Sequence, residues 1–264
     1  MTRWNPFRNK RPLVCVLRLQ GAIGASGRGL SDAGLRSTLE RAFRKGKPAA
    51  VALEINSPGG SPVQSSLIGA RIRRLSEETG VPVFAFTEDV AASGGYWIAC
   101  AADEIHADPS SILGSIGVIS ASFGAHEFLQ RHGLERRVHT AGESKSMLDP
   151  FRPEADEDVA RLDRLLSQLH VTFIDQVRNR RGNKLADDPA LFTGEVWIGQ
   201  SAVDVGLADG VGHLVPVMKR KFGDKVRFRR LGPKRRLIPR IGITLAQDAL
   251  SAIEERAAWA RFGL

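Results

Sequence analysis

The sequence is poor in cysteine and lacks long hydrophobic runs. Its 264 residues include only two cysteines, Cys15 and Cys100, and each lies within an apolar run. This count excludes a disulfide framework and a cysteine-based metal site, and it predicts two buried free thiols. No stretch approaches the roughly 18 consecutive apolar residues that a membrane-spanning helix needs, so none is expected.

A secretory signal is also not expected. The N-terminus carries four basic residues and then a short apolar run that Arg18 interrupts. A signal peptide needs an unbroken apolar stretch at this place. Residues 1–12 are therefore predicted as a basic N-terminal arm, and we expect a cytoplasmic protein or one bound peripherally at the inner face of a membrane.

Positive charge is concentrated near the C-terminus. Residues 219–240 hold eleven Lys and Arg residues against one acid, Asp224, and so carry +10 of charge, whereas the rest of the chain carries −1 of the net +9. Such a segment is typical of a solvated tail, of contact with an anionic membrane surface, or of nucleic-acid binding. Nucleic acid is the least favoured partner, because only Phe222 and Phe228 are interleaved with the bases. A helix over 242–261 is predicted to follow.

Apolar strands alternate with helical segments, which is typical of an α/β fold with a parallel sheet. The sequence predicts strands at 13–19, 49–55 and 81–87 and helices at 31–46, 63–80 and 154–181. The last helix has an apolar stripe that consists of Val159, Leu162, Leu166, Leu169, Phe173 and Val177.

Three glycine-rich turns, at 56–60, 92–96 and 114–117, each follow a β-like run. Glycine lets the backbone turn sharply and present N–H groups, and such a group can stabilise an oxyanion by roughly 3–4 kcal/mol. A serine at a strand-to-helix turn, such as Ser93, is well placed to act as a nucleophile. Taken singly, each turn is also consistent with an ordinary tight turn.

Three longer segments carry a family resemblance. The sequences INSPGGSPVQSS (55–66), VAASGGYWIACAADEIHADPSSILGSIGVI (90–119) and GESK (142–145) resemble the signal peptide peptidase A family. The sequence FTGEVWIGQSAVDVGLADGVG (192–212) is similar to that family's closing segment. The resemblance spans residues 13–215 and implies a Clp/crotonase-like ββα spiral fold, a Ser–Lys dyad and a homo-oligomer.

The resemblance also assigns roles to individual residues. It implies that Ser93 is the nucleophile, that Lys145 is the general base and that Ser115 hydrogen-bonds the lysine. It implies an oxyanion hole made by the backbone N–H of Gly59 or Gly60 together with that of Gly94. A free lysine, with a pKa near 10.4, is only about 0.04% deprotonated at neutral pH. The role of general base therefore requires burial, which disfavours the charged form.

We therefore expect a serine endopeptidase that hydrolyses hydrophobic peptides, such as cleaved signal peptides, through an acyl-enzyme and without a metal or cofactor. The predicted peptidase domain covers residues 13–218. Residues 219–264 form a basic segment and an amphipathic C-terminal helix, and residues 219–240 are the part expected to contact an anionic membrane. Membrane-anchored members of the family carry an N-terminal transmembrane segment, which is not expected here.

Three alternatives remain open from the sequence. The Clp proteolytic subunit shares the SPGG turn but uses a Ser-His-Asp triad, for which His106 or His126 with Asp103 or Asp108 is available. A crotonase-like acyl-CoA enzyme would use the same glycine-rich oxyanion hole and has no need for Ser93. A non-catalytic peptide-binding scaffold on the same fold is the third.

Overall fold

The computed structural model describes residues 11–24, 29–142, 144–232 and 256–264. The strands are β1 (Leu13–Gln20), β2 (Ala50–Ser57), β3 (Val83–Ala92), β4 (Glu104–Ala107), β5 (Ile112–Gly114), β6 (Val196–Ile198), β7 (Gly210–Val211) and β8 (Arg227–Leu231). The helices are α1 (Asp32–Arg44), α2 (Pro62–Thr79), α3 (Gly94–Ala99), α4 (His126–Arg131), α5 (Asp156–Arg181), α6 (Gln200–Asp204) and α7 (Leu214–Phe222). Short 3-10 helices occupy Gly182–Lys184 and Pro189–Phe192.

One sheet with the order β6-β5-β3-β2-β1-β8 organises the molecule. Its central strands β1, β2 and β3 are parallel, and all eight residues of β2 are buried, as expected for a parallel strand that is covered on both faces. The long strand β3 pairs with β4 through Phe84–Thr87 and with β5 through Val90–Ala92. The sheet therefore divides in two along β3, and β5 lies next to its carboxyl end.

The two faces of the sheet bury separate cores. The larger core contains side chains of β1, β2 and β3 together with residues of α1, α2, α3 and α5. The smaller one lies under α7 and includes Phe84, Phe86 and Met218. Cys15 and Cys100 are buried free thiols, as predicted.

Local signals explain where the helices on the larger core begin and end. The Ser31 side chain accepts from the Gly34 amide at the start of α1. In α2, the Ser61 side chain caps the first turn before Pro62, and Gly80 ends the helix in the left-handed conformation with φ 66°. These are the turn residues that made both helices predictable.

The sheet extends further along the chain than predicted. β3 continues to Ala92, because residues beyond the predicted end at 87 pair with β5. The predicted domain boundary at 218 falls inside α7, and β8 lies parallel beside β1. The folded unit therefore includes residues up to Leu231. The sequence did not predict β8 as an edge strand, because that segment is rich in arginine.

The remaining terminal predictions fall mostly outside the described residues. Of the predicted arm at 1–12, only residues 11 and 12 are described. Of the predicted helix at 242–261, only 256–261 is described, and residues 256–260 are helical. Residues 233–240 of the basic segment also lie outside.

The apolar stripe of α5 is only half buried. Phe173 and Val177 lie in the core, whereas Leu169 is 40% exposed. The other members, Val159, Leu162 and Leu166, are partly buried. The segment 118–155, before this helix, contains α4, which has no buried residue. Within the described ranges, no helix combines the length and hydropathy needed to cross a bilayer.

Candidate active site

Ser93 occupies the sharp turn between β3 and α3. Its backbone has φ 52° and ψ −122°, a region that costs a non-glycine residue about 1–3 kcal/mol. The Ser93 amide donates to the Gly114 carbonyl at 2.8 Å, and the Trp97 amide donates to the Ser93 carbonyl at 3.0 Å. These two bonds hold the turn in its strained conformation. Within the described part of the chain, the Ser93 hydroxyl has no hydrogen-bond partner.

The two glycines after Ser93 are required by close packing. A Cβ atom on Gly94 would lie 2.3 Å from the hydroxyl oxygen of Ser65, and one on Gly95 would lie 2.5 Å from the Ser57 carbonyl oxygen. Any side chain at these positions would push α3 away from β2 or α2. The glycine pair therefore fixes where the Ser93 turn sits on the sheet.

The turn at Gly59 and Gly60 packs against the Ser93 turn. Gly59 has φ 100°, and a Cβ atom there would lie 2.7 Å from the Ser93 Cβ atom and 2.8 Å from the Gly94 nitrogen. The Gly59 N–H donates to the Ser57 hydroxyl at 3.2 Å. The N–H groups of Gly60 and Gly94 have no hydrogen-bond partner among the described residues. Gly60, rather than Gly59, is therefore the available amide beside Gly94.

Ser115 lies in the third glycine-rich turn, directly after β5. It is 5% exposed and has φ 50°. Its amide donates to the Glu195 carbonyl at 2.7 Å, and the Gly117 amide donates to the Ser115 carbonyl at 2.9 Å. Because β5 pairs with the end of β3, this turn lies beside the Ser93 turn.

All three turns open into one cleft of about 670 Å³. It is lined by five of the six predicted site residues: Ser93, Ser115, Gly59, Gly60 and Gly94. The larger apolar side chains that line it are those of Trp97, Val118, Ile119, Leu169 and Phe173. The rings of Trp97 and Phe173 are tilted against each other, with centroids 5.1 Å apart. The cleft therefore combines a hydroxyl, two unpaired amides and an apolar wall.

Two parts of the cleft lining had no predicted role. Thr193 and Gly194 line the cleft and belong to the segment at 192–212, which carried the resemblance but received no role. Ala258 and Arg261, from the C-terminal residues, also line it. No spacing pattern in the sequence links these C-terminal residues to the glycine-rich turns.

A profile of known proteins matches this part of the fold. The profile of peptidase family S49 matches residues 76–224, which is more than half of the chain and includes Ser93, Ser115 and Lys145. The chain belongs to peptidase family S49. The predicted resemblance to the signal peptide peptidase A family is thereby confirmed at the level of the family.

Individual relatives differ in how much they share with this S49 chain. The Na(+)/H(+) antiporter NhaA of Brucella melitensis is 49% identical over 278 residues, which cover 98% of this chain and 38% of that protein. The antiporter name is not carried over, because the chain spans little more than a third of that relative. The probable protease SohB of Haemophilus influenzae is 29% identical, covering 92% of this chain and 68% of that protein. The chloroplastic serine protease SPPA of Arabidopsis thaliana is 30% identical, and the match covers 77% of this chain and 31% of that protein.

A solved structure confirms the fold. A serine-to-alanine mutant of the membrane-bound stomatin-specific protease 1510-N superposes with a TM-score of 0.51. The match covers 85% of this chain and 99% of that chain at 15% sequence identity. The α/β architecture is thus the Clp/crotonase-like fold that was predicted, with the S49 cleft at the carboxyl ends of β2 and β3.

Lys145 lies apart from the other predicted residues of the S49 site. It is exposed, it belongs to a turn in the 118–155 segment, and it does not line the Ser93 cleft. Its amide donates to the Gly142 carbonyl at 3.2 Å. Residues Ser146 and Leu148 beside it line a different, smaller cavity of about 330 Å³. One chain therefore brings together the serines and glycines but not the lysine.

The histidines offer no replacement base in this cleft. None of the six, all of which are in described ranges, lines it. His106 is stacked on Phe86 and lies 3.3 Å from Glu104, on the smaller-core side of the sheet. Asp108 lies 2.7 Å from His213. His126 lines the smaller cavity near Lys145.

Proposed function

We propose that this chain is a serine endopeptidase with Ser93 as the nucleophile. The observation that carries this proposal is the Ser93 turn, where a strained serine faces a cleft beside two unpaired amides, those of Gly60 and Gly94. Strain of this kind persists where function requires it, and it exposes the hydroxyl to substrate. In this proposal the amides of Gly60 and Gly94 hold the oxyanion.

The reaction proceeds by acyl transfer. The Ser93 oxygen attacks the scissile carbonyl carbon while its proton passes to the neutral amine of Lys145. The carbonyl oxygen becomes an oxyanion, which the two amides stabilise. The peptide C–N bond then breaks, and the proton passes from the lysine to the leaving amine. Water, deprotonated by the same lysine, hydrolyses the ester and releases Ser93.

We further propose that Lys145 acts on the Ser93 of a second copy in a homo-oligomer. The exposure of Lys145 outside its own cleft supports this arrangement. Exposed apolar side chains on the 118–155 segment and on α5 give a reason for association: Ile119, Phe123, Phe128, Leu134, Leu165 and Leu169 are 40–92% exposed. A neighbouring copy that covers this surface would remove water from the lysine and favour its neutral form.

The proposed substrates are extended peptides with hydrophobic or small side chains. The apolar wall formed by Trp97 and Phe173 suits such side chains. An extended peptide can also pair with a sheet edge through its main chain. Cleaved signal peptides have this composition, and two curated relatives are named as signal peptide or SPPA-type proteases.

A non-catalytic peptide-binding scaffold is the second candidate. It is favoured by the position of Lys145, which leaves the cleft of a single chain without a base. In a scaffold the cleft would bind peptide and Ser93 would remain unreactive. The two candidates therefore differ in the reactivity of one hydroxyl.

The test combines a fluorophosphonate probe, which labels activated serines, with hydrolysis of a fluorogenic hydrophobic peptide. We expect the unmodified protein to be labelled and active and Ser93→Ala to be neither, because the nucleophile is gone. Ser110→Ala, which changes an exposed serine outside the cleft, is the matched control and keeps both properties. Peptide binding without labelling or hydrolysis would support the scaffold, and labelling retained in Ser93→Ala would contradict the role of Ser93.

A further inference from the structure

The edge of the sheet opposite the Ser93 cleft is strongly basic. Strands β1, β2 and β8 begin there, as the bonds from the Ala49 amide to the Leu13 carbonyl and from the Arg227 amide to the Pro12 carbonyl show. The Arg229 guanidinium donates to the Lys45 carbonyl at 3.1 Å and so joins β8 to the end of α1. We call the bases gathered there the basic edge: Arg11, Arg41, Arg44, Lys45, Lys47, Lys225, Arg227 and Arg229.

The basic edge is almost without counter-charges. Among the described residues, only Arg44 of this group has a carboxylate within ion-pair distance, that of Glu78 at 2.6 Å. Other bases of the same C-terminal region are used internally, since Lys221 pairs with Glu104 at 2.6 Å and Arg230 pairs with Glu54. Within the basic edge, Arg41 and Arg229 also donate to backbone carbonyls, those of Gly232 and Lys45. The side chains that have no partner among the described residues are those of Arg11, Lys45, Lys47, Lys225 and Arg227.

Helix stability accounts for only part of this cluster. Arg41 and Arg44 lie in the last turn of α1, where positive charge complements the helix dipole. Lys45 and Lys47 lie beyond that turn, Lys225 lies in the turn before β8, and Arg227 is the first residue of β8. Like charges at this density repel one another and raise the free energy of the folded state, unless an anionic partner is bound.

We propose that the basic edge binds the anionic surface of a phospholipid bilayer. Each base near such a surface contributes about 1 kcal/mol, or roughly a factor of five in partitioning. A bilayer is favoured over nucleic acid because the nearby Phe222 and Phe228 are partly buried against the smaller core and offer no stacking platform. The sequence after Gly232 mixes further bases with Leu237, Ile238 and Ile241, which is typical of segments at membrane interfaces.

Binding through the basic edge would determine the orientation of the Ser93 cleft relative to the bilayer. β1 and β2, each of eight residues, separate the basic edge from the Ser93 turn by roughly 25 Å. A bound molecule would therefore present its cleft to the aqueous side. This last step rests on the proposed peptidase function, and it predicts that peptides are cleaved after they have left the bilayer.

The test is sedimentation of the full chain with vesicles of 30% phosphatidylglycerol in phosphatidylcholine and with vesicles of pure phosphatidylcholine. We expect binding only to the anionic vesicles, with loss at 0.5 M NaCl, where the charges are screened. The variant Lys45→Gln/Lys47→Gln/Lys225→Gln/Arg227→Gln should bind at least about a hundredfold more weakly. Its peptide hydrolysis should be unchanged, because none of the four residues lines the cleft, and this readout also reports that it is folded.

A matched control removes the same charge elsewhere, with Arg131→Gln/Arg137→Gln/Arg152→Gln/Arg164→Gln. All four are exposed and lie outside the basic edge, so we expect this variant to retain most of its vesicle binding. Equal loss in both variants would overturn the proposal, because net charge alone would then drive binding. Binding to neutral vesicles would also overturn the proposal. So would a result in which the basic-edge substitutions weaken binding to an RNA or DNA oligonucleotide but leave binding to vesicles unchanged.

Discussion

The Ser93 turn and the 118–155 segment carry the two halves of the proposed dyad in opposite structural settings. Ser93 follows a strand in the middle of the sheet, and its turn is held by hydrogen bonds and by glycines that tolerate no side chain. Lys145 lies on an exposed turn, in a segment whose described helix, α4, has no buried residue. A single chain thus brings Ser93 together with the two amides, and in the proposed mechanism Lys145 would depend on contacts from a second chain.

The largest expected effect is that of Lys145→Ala. If Lys145 is the general base, kcat for a fluorogenic peptide should fall by about 10³-fold or more at neutral pH. Lys219→Ala removes an exposed lysine on α7 and should leave kcat unchanged. Steady-state kinetics across pH 6–10 measure this, and a Lys145→Ala enzyme with a normal rate would show that the exposed segment supplies no base.

Glycine substitution tests how tightly the Ser93 side is packed. Gly59→Ala places a Cβ atom 2.7 Å from the Ser93 Cβ atom at φ 100°, so it should destabilise the fold by about 3 kcal/mol or more and abolish activity. Gly80→Ala also requires a positive φ, of 66°, but nothing lies within 4 Å, so it should cost about 1 kcal/mol. Urea unfolding of both variants measures the difference. Equal losses of unfolding free energy in the two variants would mean that the close approach of the Gly59 and Ser93 turns does not contribute to stability.

Ion pairs provide a comparison in stability between the buried end of α5 and the 118–155 segment. Asp209 accepts from Arg181 at 2.7 Å and from Lys184 at 2.6 Å. Asp209→Asn leaves the buried Arg181 without its partner and should cost about 3 kcal/mol. Glu127→Gln weakens an exposed pair with Arg131 in the 118–155 segment and should change stability by less than about 0.5 kcal/mol. Thermal unfolding at pH 7 compares the two.

The ion pairs of Asp209 with Arg181 and Lys184 give the stability of the protein a pH dependence of defined sign. Burial alone would raise the pKa of Asp209, but the hydrogen bonds from Arg181 and Lys184 outweigh burial and hold that pKa below its usual value. The stabilisation is therefore present above the unfolded-state value, near 3.9, and is lost as pH falls through the lower folded value. Thermal unfolding between pH 7 and pH 2.5 should show a larger loss in the unmodified protein than in Asp209→Asn, which keeps the lowered pKa values of Asp32, Asp108 and Asp149. A parallel loss in both proteins would contradict the assignment.

The smallest expected effect is in thiol labelling. Burial raises the pKa of the Cys100 thiol to about 12, and Cys15 is also fully buried. Neither should react with a thiol reagent in the folded protein over minutes. Ser122→Cys places a thiol in the exposed segment and should react at once. Rapid reaction of the native cysteines would mean that the core opens as readily as the exposed segment does.

The sequence predicted the central sheet well because its signals are local. Apolar runs identified β1 and β2, and Ser61, Pro62 and Gly80 delimited α2. It missed β8, because arginines alternate with apolar residues there and only pairing with β1 identifies the strand. The stripe of α5 predicted burial from periodicity, but burial also needs a partner surface, which the first half of the helix lacks within one chain.

In the candidate site, too, the sequence predicted the residues that lie in local motifs and not those that only the fold brings nearby. Ser93, Ser115 and the glycines sit in motifs that fix their own backbone, and the structure brings them into one cleft. The resemblance supplied Lys145 without indicating where that residue lies relative to Ser93. The cleft residues Thr193 and Arg261 are distant in sequence from the motifs, so their proximity arises only from the fold.

The most direct test of the account mixes two inactive variants, Ser93→Ala and Lys145→Ala, after dissociation and reassembly of the subunits. If the lysine of one copy serves the serine of another, random pairing should restore about a quarter of the unmodified activity, because one site in four then has both residues. Full inactivity of the reassembled mixture, with each variant folded and oligomeric, would contradict the account and place both residues of the site in the same chain.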